Sequence, residues 1–152
     1  MPEPVLFDSV SPRFALPLLF AGQAQKEAFV NEALSRADAL MHCAIEGEAT
    51  TAPAFPAEGT AWLVASGAQG VWLGQDGGIA CWQSGNWLFI TPRDGMRVLD
   101  RSTGQERRFH TEWHSPVAPL EPSGGSVVDT QARAAIVELV EALRIAGIFV
   151  SI

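Results

Sequence analysis

The spacing of apolar residues changes character four times along the chain. Residues 1–21 place Pro2, Pro4, Pro12 and Pro17 among Val5, Leu6, Phe7, Phe14, Leu16, Leu18 and Leu19. Proline at this density excludes a helix and favours extended backbone. So many large apolar side chains should not lie free in water, so 1–21 reads as an extended docking arm. Its target is either its own domain or a neighbouring subunit. From Gly22 to about Cys43 the period becomes helical: Val30, Leu34, Ala37, Met41 and Ala44 recur at four- and three-residue steps, widened by Ala33 and Leu40. Gln25, Lys26, Asn31, Glu32, Arg36 and Asp38 form the opposite, polar face. Gly47, Pro53 and Pro56 close this element.

Over 60–111 the pattern shortens to β-type runs at Thr60–Ala65, Val71–Gly74, Gly78–Gln83, Asn86–Thr91, Met96–Asp100 and Gln105–His110. Glycine-containing turns separate them, as at Asp76-Gly77-Gly78, Ser84-Gly85-Asn86, Asp94-Gly95 and Thr103-Gly104. This cadence predicts an antiparallel meander, with the first helix covering one face because such short strands do not stand alone. Residues 115–126 hold three prolines and a Gly-Gly pair and read as a linker. A second helix is expected from Asp129 or Thr130 to Ala146, with Asp129 as N-cap and Gly147 as the stop. On it Val128, Ala132, Ala135, Leu139, Ala142 and Ala146 make one heptad seam, and Ile136, Val140 and Leu143 a second. The tail from Ile148 reads as a last β-type segment whose apolar side chains need cover. The expected class is α+β: arm 1–21, helix and tryptophan-rich meander 22–114, linker 115–126, and oligomerising helix with tail 127–152.

At 152 residues, with 47% hydrophobic residues, the chain is long enough for a real core. Seventeen acids against ten bases give a net charge of −7, which argues against general nucleic-acid binding. Charged residues are only 18%, so part of the surface must be small and polar, or apolar and covered by a partner. The most apolar stretch, Ala134 to Val150, is broken by Glu138, Glu141 and Arg144, so no membrane insertion is expected. The start, Met-Pro-Glu-Pro, has no secretory pattern, which predicts a soluble product made in the cytoplasm. Cys43 and Cys81 are read as buried thiols.

The chemistry that would make an enzyme is thin. His42 and Cys43 are adjacent and point to different helix faces. His110 and His114 have ligand spacing only on a helix, whereas the intervening Thr-Glu-Trp follows a strand-like run and precedes Pro116. The glycines around Gly74–Gly78 lack a following helix and a Gly-Lys-Ser/Thr, and read as hairpin turns. No catalytic residue, metal or cofactor is therefore assigned. Trp62, Trp72, Trp82 and Trp87 lie on the meander and form either its core or a stacking platform for sugar rings. Arg93, Arg97, Arg101, Arg107 and Arg108 hold half of the ten basic residues within a short span of an acidic chain. They mark either a contact for an acidic partner or a solvated strand face.

The run Phe14-Ala-Leu-Pro-Leu-Leu-Phe-Ala-Gly-Gln-Ala-Gln-Lys-Glu-Ala-Phe-Val-Asn-Glu-Ala-Leu34, followed by Asp38-Ala-Leu40, is distinctive, and Pro56–Val64, Gly70–Gly74, Ile79–Trp82 and Gly85–Pro92 accompany it. Together they resemble the signature of a domain-of-unknown-function family found in alphaproteobacterial prophages and gene transfer agents. The resemblance implies a virion component associated with host-adsorption appendages, similar to the base of a head spike that carries a separate fibre. It brings no catalytic motif. Taken with the apolar arm and the seamed helix, it predicts a non-enzymatic homo-oligomeric adaptor in a phage-like particle, assembled in the bacterial cytoplasm. Its partners would be a capsid protein and a spike or fibre protein. A fivefold vertex would make it a pentamer, a fibre junction a trimer. The expected interface residues are Phe7, Phe14, Leu18, Leu19, Val128, Ala132, Ala135, Ile136, Leu139, Val140, Leu143 and Ala146. Contact with host polysaccharide through the tryptophans is the alternative.

Overall fold

The computed structural model describes residues 27–150. The arm, with Phe7, Phe14, Leu18 and Leu19, lies outside the described residues, as do residues 22–26 and 151–152. The chain is α+β and divides into two compact units between Pro92 and Arg93, a boundary inside the segment 22–114. The first unit contains α1 (Glu27–Leu40), β1 (Ala44–Ile45), β2 (Glu48–Ala49), β3 (Ala61–Val64), a 3₁₀ turn (Gly70–Trp72), β4 (Ile79–Gln83) and β5 (Asn86–Ile90). The second contains β6 (Arg97–Asp100), β7 (Gln105–His110), β8 (Glu112–His114) and α2 (Thr130–Ile145).

In the first unit β3, β4 and β5 form the expected antiparallel meander, while β2 runs parallel to β3. Ser84 and Gly85 both have positive φ, the two-residue loop whose twist suits a hairpin. The Glu58 carboxylate accepts from both of their amides, at 2.7 and 3.1 Å. Asp76 braces a second loop by accepting from Ala68 and Gly67. Register puts Trp62, Val64, Ala80, Trp82, Trp87 and Phe89 on one face of the sheet. That face meets Ala68 and Trp72 in a hydrophobic cluster.

Three expectations change here. Val71–Gly74 is not a strand: Trp72 and Leu73 donate back to Gln69 and Gly70, and Gly70 and Gly74 take positive φ, which curls the segment into a 3₁₀ turn. The first helix stops at Leu40 because His42 enters the left-handed region at φ 47°, so Met41 and Ala44 leave the helical path. The helix also turns a different side inward. Asp38 and Ala39 are buried, whereas Val30, Ala33, Ala37 and Leu40 of the expected stripe are exposed. Arg36 sets this orientation by reaching from Glu32 on its own helix to the carbonyl of Phe89 on β5, 3.0 Å away.

The second unit is a short meander, β6–β7–β8, with strict alternation. Val98, Asp100, Gln105, Arg107, Phe109 and Trp113 share one face; Arg97, Leu99, Glu106, Arg108, His110, Glu112 and His114 share the other. The turn after β6 is organised by the fully buried Asp100. One carboxylate oxygen accepts from the amide and hydroxyl of Ser102, and the other holds the Arg107 guanidinium at 2.6 Å. Strand β8 was not expected, since the step from β7 is a single Thr111 at φ 61° with no glycine to announce it.

Helix α2 has the caps foreseen for it. The Asp129 carboxylate accepts from Gln131 and Ala132 at 3.0 and 2.9 Å. Gly147, at φ 73°, donates to Arg144 while Ile148 donates to Leu143, the paired bonds of a Schellman ending. The described residues that follow, 148–150, are not a strand. They fold back so that Gly147 accepts from the amide of Glu106 on β7 and Phe149 is buried.

Candidate functional site

The sequence-predicted interface residues that the structure describes lie on α2 and just before it. A 16-residue helix gains most of its stability from packing an apolar face, yet α2 has no buried residue. It is fixed at its ends instead. At the start, Arg133 donates to the carbonyls of Pro122 and Gly124. At the finish, the buried Gln105 side-chain amide donates to the carbonyls of Pro116 and Ile148 at 2.5 and 2.7 Å. The linker and the tail are thereby tied to β7.

The two seams differ in their surroundings. Ala132, Ala135, Leu139, Ala142 and Ala146 are all exposed, Leu139 by 60%, and Val128 continues the row ahead of the helix at 53%. In the second seam Val140 and Leu143 are half-buried, and Ile136 is 41% exposed. Pro119, Leu120 and Glu121 of the linker face Ile136, Val137 and Val140 across a small cavity of about 40 Å³. The first seam therefore presents one methyl-rich row to solvent. Large exposed side chains at Val127, Val137 and Ile145 widen the apolar surface. Contiguous apolar surface of this kind is a mark of interaction sites.

The tryptophans are brought together, but not equivalently. Trp72 sits edge-on to Trp87 with centroids 5.1 Å apart and tilted to Trp62 at 6.4 Å. Trp82 and Trp87, directly opposed on β4 and β5, meet at 5.0 Å. Trp72 is completely buried, so it is removed from the candidate stacking set: its ring is core, with an indole Nε1 that finds no hydrogen-bond partner among the described residues. Trp62, Trp82 and Trp87 are half-buried. Cys43 and Cys81 are buried thiols.

The arginine cluster is sorted by strand parity. Arg107 points to the side of Asp100 and is structural, whereas Arg97 and Arg108 are directly opposed on the outer face. They line a cavity of about 400 Å³ together with Glu106, His114, Ser115, Pro116 and Ile148. Nearby, Asp94 accepts from the amide of Thr111 and pairs with His110 at 3.2 Å. The Thr111 bond, aided by His110, holds the Asp94 carboxyl below its ordinary range. Sequence reasoning missed this cavity. The clustering of arginines was its only signal, and parity depends on a register that is not written locally. No group of three or more acidic, histidine or cysteine side chains suited to a metal is found among the described residues. Nor is any of the described helices long and apolar enough to cross a membrane.

Comparison with curated proteins finds no match. A family model described as "Protein of unknown function (DUF2793)" matches residues 30–114, which span α1, the tryptophan-bearing sheet and β6–β8 and stop short of α2. More than half of the chain lies within that match, and the chain belongs to this DUF2793 family.

Proposed function

We propose that this protein is a non-enzymatic structural component of a phage-like particle or gene transfer agent. It would act as a homo-oligomeric base or adaptor joining a capsid to a host-adsorption spike or fibre. The observation that carries the reading is the exposed seam of α2, a helix held at both ends while its alanine-rich row has no cover among the described residues. A row of alanines centred on one leucine, at heptad spacing, is self-complementary and lets helix backbones approach closely. A closed cyclic assembly is the expected product, pentameric on a fivefold vertex and trimeric at a fibre junction. The resemblance of the 14–34 run to phage and gene transfer agent proteins supports the setting.

Sedimentation of the full chain and of Leu139→Asp tests this. The wild type should be an oligomer. The variant should be a folded monomer with stability changed by no more than about 0.5 kcal/mol, as for other exposed substitutions. A monomeric wild type, or an intact variant oligomer, refutes the seam's role.

A second reading, contact with host polysaccharide, draws on the half-buried Trp62, Trp82 and Trp87. Stacking on a sugar would change their emission. Titration of the chain with host capsular polysaccharide should then give a saturable fluorescence change that Trp82→Ala removes, and an adaptor alone gives none.

A further inference from the structure

The outer face of β6–β8 carries three basic side chains in one line across three strands. Arg97 opposes Arg108, and Arg108 opposes His114. Directly opposed residues bring their Cβ atoms within about 5 Å, and like charges so placed work against the sheet. The local compensation is partial. Glu106 lies 3.4 Å from Arg97, while Arg108 has neither a hydrogen bond nor an ion pair among the described residues. The line is also not an open strand face, because Pro116 and Ile148 wall it into the cavity of about 400 Å³. Those walls are fixed: Gln105 binds the carbonyls of both residues. A concave site of this size, with an apolar wall and a few convergent polar groups, suits a small ligand.

We propose that this cavity binds a small organic anion, an oxyanion head held by Arg108 with Arg97 and an apolar body laid against Pro116 and Ile148. A guanidinium presents its donors as a planar fork that fits the two oxygens of a carboxylate or of a phosphoryl group. Such a head relieves the repulsion between the opposed arginines and gives Arg108 a directly bound counter-ion, where Asp94 acts on it through space without an ion pair. The apolar wall favours an organic acid over the bare ion. This site does not depend on the α2 seam, so its occupancy and the oligomeric state can be measured separately.

Equilibrium dialysis of the full chain against labelled benzoate, phenyl phosphate and orthophosphate at low ionic strength tests the assignment. Saturable binding of one molecule per chain is expected, tighter for an aromatic acid than for orthophosphate. The better of benzoate and phenyl phosphate identifies the head group as carboxylate or phosphoryl. Loss of a charge-assisted hydrogen bond in Arg108→Gln should weaken binding about tenfold or more. Arg101→Gln removes the same charge from a position outside the cavity and should leave binding unchanged. Circular dichroism establishes that each variant is folded. The proposal is overturned if no probe saturates in the millimolar range, about −4 kcal/mol of binding, or if the two variants weaken binding equally.

Discussion

The two units of this protein place their apolar side chains differently. In the first, two faces of a small sheet are largely buried, and Trp72 is enclosed by Trp62 and Trp87. Polar groups such as Glu58 and Asp76 serve its loops from the margin. Each unit buries polar side chains, Asp38 and Gln83 in the first and Asp100 and Gln105 in the second; those of the second tie separate segments together, Asp100 holding Arg107 and Ser102 and Gln105 holding the linker and the tail. The second unit's apolar side chains on α2 face outward. Apolar burial is non-directional and accumulates with area, so the sheet of the first unit spends most of its hydrophobic surface on its own core. Hydrogen bonds fix geometry at a few points and bury little area, so the second unit leaves hydrophobic surface available to a partner. The same chain thus combines a unit with the larger apolar core and one whose exposed helix is suited to assembly.

Two substitutions sharpen this contrast when read by hydrogen exchange resolved to each strand. Trp72→Ala removes the centre of the first core and should cost about 3–5 kcal/mol. Protection should fall across β3, β4 and β5. Trp72→Phe keeps a ring, removes the indole N–H that has no partner among the described residues, and should cost less. Asp100→Ala strands the Arg107 guanidinium and unbinds the turn. Breaking a buried pair from one side costs about 3 kcal/mol or somewhat more, and the loss should centre on β6 and β7. If each variant lowers protection equally in both units, they share one cooperative core and the contrast fails.

Much of this was legible along the chain. Residues that carry their own local signal were read well, as where Asp129 and Gly147 bound α2 or Ser84-Gly85 turns β4 into β5. The local pattern misleads where a nearby glycine or a tertiary bond overrides it. Val71-Trp72-Leu73 has strand-like composition, but positive φ at Gly70 and Gly74 closes it into a 3₁₀ turn. The stripe on α1 has a clean helical period, yet Arg36 and the burial of Asp38 choose the side that faces inward. The seams of α2 were visible because heptad spacing is local, whereas their different exposure depends on where the linker runs. The basic cavity was illegible because it is assembled from β6, β7, β8 with the residues after it, and the tail. Only strand register distinguishes the inward Arg107 from its outward neighbour Arg108.

The smallest expected effect tests how α2 is held. Asp129→Ala frees the amides of Gln131 and Ala132, and loss of such a cap costs about 1 kcal/mol. In a helix packed against a core, that loss is diluted by the buried face. Here no α2 residue is buried, so the first turn should fray, with faster exchange confined to residues 130–133 and no change in the near-ultraviolet signal of the tryptophan cluster. Dilution adds a second readout. A partner that binds only the folded helix stabilises it in proportion to the logarithm of its concentration. Fraying in the variant should therefore diminish as protein concentration rises through the range where the chain associates. Fraying independent of concentration would mean that the seam stays solvent-facing even in the assembly. Unchanged exchange at every concentration would mean that Arg133 and its carbonyl partners, rather than the cap, hold the helix start.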